Sequence, residues 1–222
     1  MVSRTAGNQK RLTGRPVVVG VADHNGWAIL VAAAAVNGEP AVVDRRRVRL
    51  IEEGVPSQPY HHETLALSDA EAEKLLRKVK RSIAECTALA FDRLSADLSP
   101  RYRVSSITIR EPPLAHLPAT VAEVHRSYHA LCRADGMLYH SAICTAARQR
   151  DWTLVLHRRG EEVATAAEAL QSSADEVERF INDLKQTLRS PWTAEHRHAF
   201  AAAIGTLRRQ SRLRFDGCRG RD

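Results

Sequence analysis

The order of its punctuated apolar runs constrains this chain most. The run Val17-Val18-Val19-Gly20-Val21-Ala22 is short, β-branched and free of polar residues, as expected for a strand buried on both faces. Asp23-His24-Asn25-Gly26 then has turn composition. Residues 27–36 read as a second strand, and Asn37-Gly38 is the strongest short hairpin signal. Residues 41–51 form a third, with Val43, Arg45, Arg47 and Arg49 expected on one face and Val42, Val48 and Leu50 largely on the other. The opening is therefore an antiparallel meander with a polar outer edge.

A Pro-containing loop over 52–67 follows. Ser68 with Glu71 predicts a capping box, and Leu75, Leu76, Val79, Ile83, Cys86, Leu89, Ala90 and Leu94 recur at helical spacing to about Leu98. Val104, Ile107 and Ile109 mark a fourth strand, closed by Glu111 and Pro112-Pro113. Helical stretches are expected over 119–132 and 136–150, with a fifth strand over 153–157 and a helix over 160–170. Ser173 and Glu176 form another capping box ahead of a helix ending near Arg189, and Thr193 caps a last helix to about Gln210. The order β-β-β-α-β-α-β-α predicts one α/β domain: a mixed five-stranded sheet, meander first and alternating elements after, flanked by helices. Its expected span is 16–210, between a flexible basic arm over 1–15 and a basic tail over 211–222.

Composition narrows the class. The longest apolar run, residues 27–36, is too short to cross a bilayer, and no secretory signal is legible in 1–15, so a cytoplasmic protein without a membrane partner is expected. Cys86, Cys132, Cys144 and Cys218 form no C-x-x-C pair and are expected as reduced thiols. The net charge of +7 favours a polyanionic partner, although the arginine bias also fits genome composition. Aromatic residues are only 5%, which argues against a base-stacking platform. No phosphate-cradling glycine loop and no nucleophile elbow around Ser82, Ser106 or Ser141 is present.

Three distant segments each offer a metal-binding group at an edge: Asp23 after the first run, Glu111 after the fourth strand, and Glu195 with His198 opening the last helix. Phosphodiester hydrolysis by two divalent ions needs such oxygen donors converging beside a phosphate. Gly20-Val21-Ala22-Asp23 followed by Gly26-Trp27, Ile109-Arg110-Glu111, and the Ala-rich run after His198 resemble the RuvC-type Holliday-junction resolvases of the ribonuclease-H-like superfamily.

That resemblance implies a ribonuclease-H-like fold and a metal-dependent nuclease acting on DNA, branched or junction DNA included. Asp23, Glu111, Glu195 and His198 would then be catalytic and metal-binding, with Mg²⁺ or Mn²⁺ as cofactor and a homodimer for a symmetric junction. Arg45, Arg46, Arg47, Arg208, Arg209 and Arg212 would hold backbone phosphates. Two departures accompany it. Glu195-x-x-His198 stands where the family has D-x-x-D, and Asp23 lies one residue beyond the expected site, which Ala22 occupies. In a regular strand that shift turns the side chain to the opposite face, so Asp23 serves only if the strand ends or bulges there.

Each residue also has a plainer reading. Asp23 suits a turn, Glu111 a solvated strand end, Glu195 a first-turn acid, His198 a surface or core imidazole, and Arg45 to Arg47 a charged outer face. Tyr60-His61-His62-Glu63 resembles a ligand set only superficially, because adjacent residues on an extended chain point apart. The competing expectation is a catalytically inactive ribonuclease-H-like module binding nucleic acid or protein. An enzyme acting on a small phosphorylated metabolite would need a closed pocket instead.

Overall fold

The computed structural model describes residues 14–112 and 117–216, with side chains to residue 207 in the last helix. Strands β1 (Arg15–His24), β2 (Trp27–Val36) and β3 (Glu39–Arg49) form the antiparallel meander. Asn37 and Gly38 carry it through their hairpin with φ of 53° and 85°. Strands β4 (Tyr102–Arg110) and β5 (Thr153–His157) add parallel on the far side of β1, giving the order β3-β2-β1-β4-β5.

Helices α1 (Asp69–Leu98) and α3 (Tyr128–Arg148), with the short turn α2 (Val121–Val124) before α3, accompany one face. Helices α4 (Glu162–Leu170), α5 (Ala174–Asp183) and α6 (Ala194–Asp216) cover the other. The run in β1 is apolar throughout because both faces are buried. Val17, Val19 and Val21 pack toward α1 and α3 with Phe91 and Tyr139. Val18 packs toward α6 with Phe200 and Ile204.

Three local expectations are corrected. Strand β1 does not end at Ala22: Asp23 pairs with Ala28 and His24 with Trp27, leaving Asn25-Gly26 as a two-residue turn with Gly26 at φ 93°. In β3 the register shifts so that Ala32 faces Asp44 and Ala33 faces Val42, which leaves Val43 as the extra residue of a bulge. Val43 therefore packs with Val48 on the α1 face, and Val42 on the α6 face. The expected helices over 119–132 and 136–150 are re-divided. Thr120 caps α2, Ser127 caps α3 by accepting the Ala130 N–H, and α3 runs through Gly136 without a break.

The boxes at Ser68/Glu71 and Ser173/Glu176 form as expected. Hydrogen bonds from the Ser172 hydroxyl, the Ser173 backbone N–H and the Ser173 hydroxyl hold the Glu176 carboxyl down at about 2. A carboxyl depressed in the folded state contributes stability above its unfolded titration range and loses it as pH falls through the folded value. Ser173→Ala should lower the urea midpoint at pH 7. Its gap from wild type should narrow on acidification from pH 5 toward pH 2, and a constant gap would remove the carboxylate from the cap.

Candidate functional site

The carboxyl-terminal ends of β1, β4 and β5 meet the start of α6 around two adjoining clefts. The larger, about 320 Å³, includes Asp23, Arg110, Glu111, Cys132 and His140. The smaller, about 110 Å³, includes Asp23, Arg110, His157, Glu162, Glu195 and His198. Asp23 and Arg110 border both. Glu111 shares a cleft with Asp23 alone among the proposed ligands, while Glu195 and His198 enter from α6.

Strand parity explains the division. Asp23 follows Val19 and Val21 onto the α3 side, and its Oδ2 lies 3.9 Å from His140 Nδ1. The α6-facing place belongs to Ala22, which packs with the α6 cluster. The ladder runs regularly through Asp23, so no bulge returns its carboxylate to α6. Burial lowers the His140 imidazole, while Asp23 pulls it up and Arg110 and Arg148 push it further down.

Of the other candidates, Glu195 is engaged locally by its side chain. Glu195 Oε2 accepts from the Thr193 hydroxyl at 2.7 Å. That bond is the largest cause holding its carboxyl low, with the charges of His24 and His196 assisting. Glu195 thus acts as the first-turn acid of α6. His198 and Glu111 are exposed, and the Glu111 N–H donates to the His157 carbonyl at 2.8 Å.

Divalent cations require donors roughly 2.0–2.6 Å from a shared point. Among the described residues, no group of three or more His, Cys, Asp or Glu side chains could hold a metal ion. As arranged, these donors do not fit a Mg²⁺ or Mn²⁺ pair.

The arginines of β3 are also spoken for. Arg45 donates to the carbonyls of Pro191 and Arg189. Arg46 pairs with Asp44 at 2.5 Å and Asp97 at 2.8 Å, which drives its guanidinium upward. Arg47 lies over the Trp27 ring at 4.1 Å, and His24 stacks on that ring at 3.9 Å. The side chains of Arg208, Arg209 and Arg212 lie outside the described residues, as does nearly all of the expected arm and the end of the tail.

Arg110, His140, His157 and Glu162 were not anticipated at this site. Arg110, His157 and Glu162 have a retrospective signal: they stand at the carboxyl ends of parallel strands or the start of the following helix, where α/β sheets build their sites. His140, in the middle of α3, had none.

A mixed sheet of this order, with helices on both faces and the strand ends opening on a polar cleft, is the ribonuclease-H-like fold, in its RuvC-like form. The chain is similar to the structure of RuvC from Thermus thermophilus, with a TM-score of 0.51 and 10% identity over 89% of this chain and 96% of that one. It is likewise similar to T. thermophilus RuvC in complex with Holliday junction substrate, with a TM-score of 0.52 and 14% identity over 89% and 95%. No family model and no curated protein matches the sequence. Among the described residues, no helix is long and apolar enough to cross a membrane.

Proposed function

We propose that this protein is a ribonuclease-H-like DNA-binding module that holds DNA without cutting it. The observation carrying this reading is the facing of Asp23: its carboxylate sits against His140 on the α3 side, whereas Glu195 and His198 approach from α6. Asp23 borders one cleft with Glu195 and His198, yet among the described residues no three such side chains converge on the shared point that two-ion hydrolysis demands. The net charge of +7 and the likeness to a RuvC bound to Holliday junction substrate support a nucleic-acid partner.

Labelled duplex and four-way DNA should bind with strong salt sensitivity. For about four phosphate contacts, affinity should fall roughly a hundredfold between 50 and 200 mM salt. Neither DNA should be cleaved with Mg²⁺ or Mn²⁺. Binding that ignores salt, or no binding, would end this reading. Sedimentation of the complex would show whether two copies bind one junction.

The metal-dependent nuclease is the second reading. It is favoured by Asp23 and Glu111 ending or following neighbouring strands on one cleft. Ion-dependent cleavage abolished by Glu111→Gln would establish it over the binding module.

A further inference from the structure

At the cleft that Asp23 and Glu111 also border, three other side chains form an ordered relay that no part of the DNA-binding reading uses. Cys132 Sγ lies 3.3 Å from His61 Nε2, and His61 Nδ1 lies 2.7 Å from Asp135 Oδ2. Cys132 and Asp135 are three residues apart on α3 and so share a helix face. His61 arrives from the loop between β3 and α1 and is held firmly. Asp135 also accepts the backbone N–H groups of Tyr60 at 3.0 Å and His61 at 3.2 Å, and the Tyr139 hydroxyl donates to the Ser57 carbonyl at 2.9 Å.

We propose that Cys132, His61 and Asp135 form a nucleophilic thiol site acting on the acyl carbon of an ester or thioester. Asp135 is fully buried and accepts from Nδ1–H, which leaves the Nε2 lone pair facing the thiol. Burial raises the Asp135 carboxyl, and its bonds to His61 and Tyr60 draw it back down. Cys132 is exposed and opens on the 320 Å³ cleft, so a substrate can reach sulfur while the base behind it stays shielded. This is the nucleophile, base and orienting acid arrangement of covalent acyl transfer.

In the reaction, sulfur bonds to the acyl carbon as its proton passes to His61 Nε2. That proton then goes to the departing alkoxide or thiolate as its bond to the acyl carbon breaks, leaving an acyl thioester on Cys132. Water adds to the thioester, His61 takes a proton from it, and the carboxylic acid leaves with the thiol restored. Asp135 is a positioning residue, acting through the imidazole.

The test is labelling of the intact protein with p-nitrophenyl acetate and, separately, iodoacetamide, read at the Cys132 peptide by mass spectrometry. Acetylation of Cys132 should fall about a hundredfold in His61→Gln, within the range for losing a general base. Alkylation of Cys132 at pH 7 should slow at least tenfold in the same variant. Circular dichroism establishes that His61→Gln is folded, and Cys132→Ala supplies the background. Asp135→Asn should change the shape of the pH–rate profile, which loss of packing alone would not do. Equal labelling of Cys132 in wild type and folded His61→Gln would overturn the proposal. No nucleic acid enters the assay, so its outcome is independent of DNA binding.

Discussion

Gly20→Ala is expected to destabilise the protein by about 3 kcal/mol, the upper end of the usual cost of overpacking. An added Cβ at Gly20 would lie 1.8 Å from the Ala199 carbonyl oxygen and 2.6 Å from its carbon. Both are backbone atoms of α6, so no side-chain rotation relieves the clash. Relief requires lifting α6 off β1, and that helix buries Ala199, Phe200, Ala203 and Ile204 against the sheet. The contrast is Gly136, in the interior of α3, where an added Cβ meets nothing within 4 Å. Gly136→Ala should stabilise by roughly 0.5–1 kcal/mol, because only the entropic cost of a helical glycine is removed. Urea unfolding of both variants reads the pair. A Gly20→Ala midpoint equal to wild type would mean that α6 does not lie directly on the first strand.

The close approach at Gly20 also shows what was legible in the sequence and what was not. A six-residue apolar run with no polar position predicts two covered faces, and the hairpin, capping boxes and fifth strand follow from local chemistry. Facing did not follow. Closing the turn at Asn25-Gly26 keeps Asp23 within the ladder on the α3 side. The bulge at Val43 similarly reassigns side chains along β3, and nothing local announces it.

The relay of His61, Cys132 and Asp135 was illegible for another reason. Its members are 71 residues apart across Cys132 and His61, and pair only after the loop folds onto α3. The chain at His61 and His62 turns instead of extending, with the two rings 6.1 Å apart, and reading them as neighbours on an extended chain gave no hint of the partner that His61 finds. The arginines of β3 were visible as charge, but their occupation by Asp44, Asp97, main-chain carbonyls and the Trp27 ring is a tertiary outcome.

Phe91→Ala should cost about 3–5 kcal/mol, a large share of the roughly 5–15 kcal/mol that holds a domain folded. Phe91 is fully buried on α1, with its ring 5.1 Å from that of Trp152, the residue leading into β5. Arg150 lies over both rings and ties their elements together, donating to the Ala88 carbonyl on α1, the Ala146 carbonyl on α3 and the Asp92 carboxylate. Truncation therefore opens a cavity beneath a guanidinium whose hydrogen bonds span two helices, so the site cannot collapse without breaking them. The expected result is a urea midpoint shifted strongly downward at unchanged slope. Asp92→Ala, which removes one largely exposed partner of the same guanidinium, should cost less than about 1 kcal/mol. If the two variants were equally destabilised, the ion pair would outweigh the aromatic contact, and the packing of α1 and α3 around β5 would rest on charge.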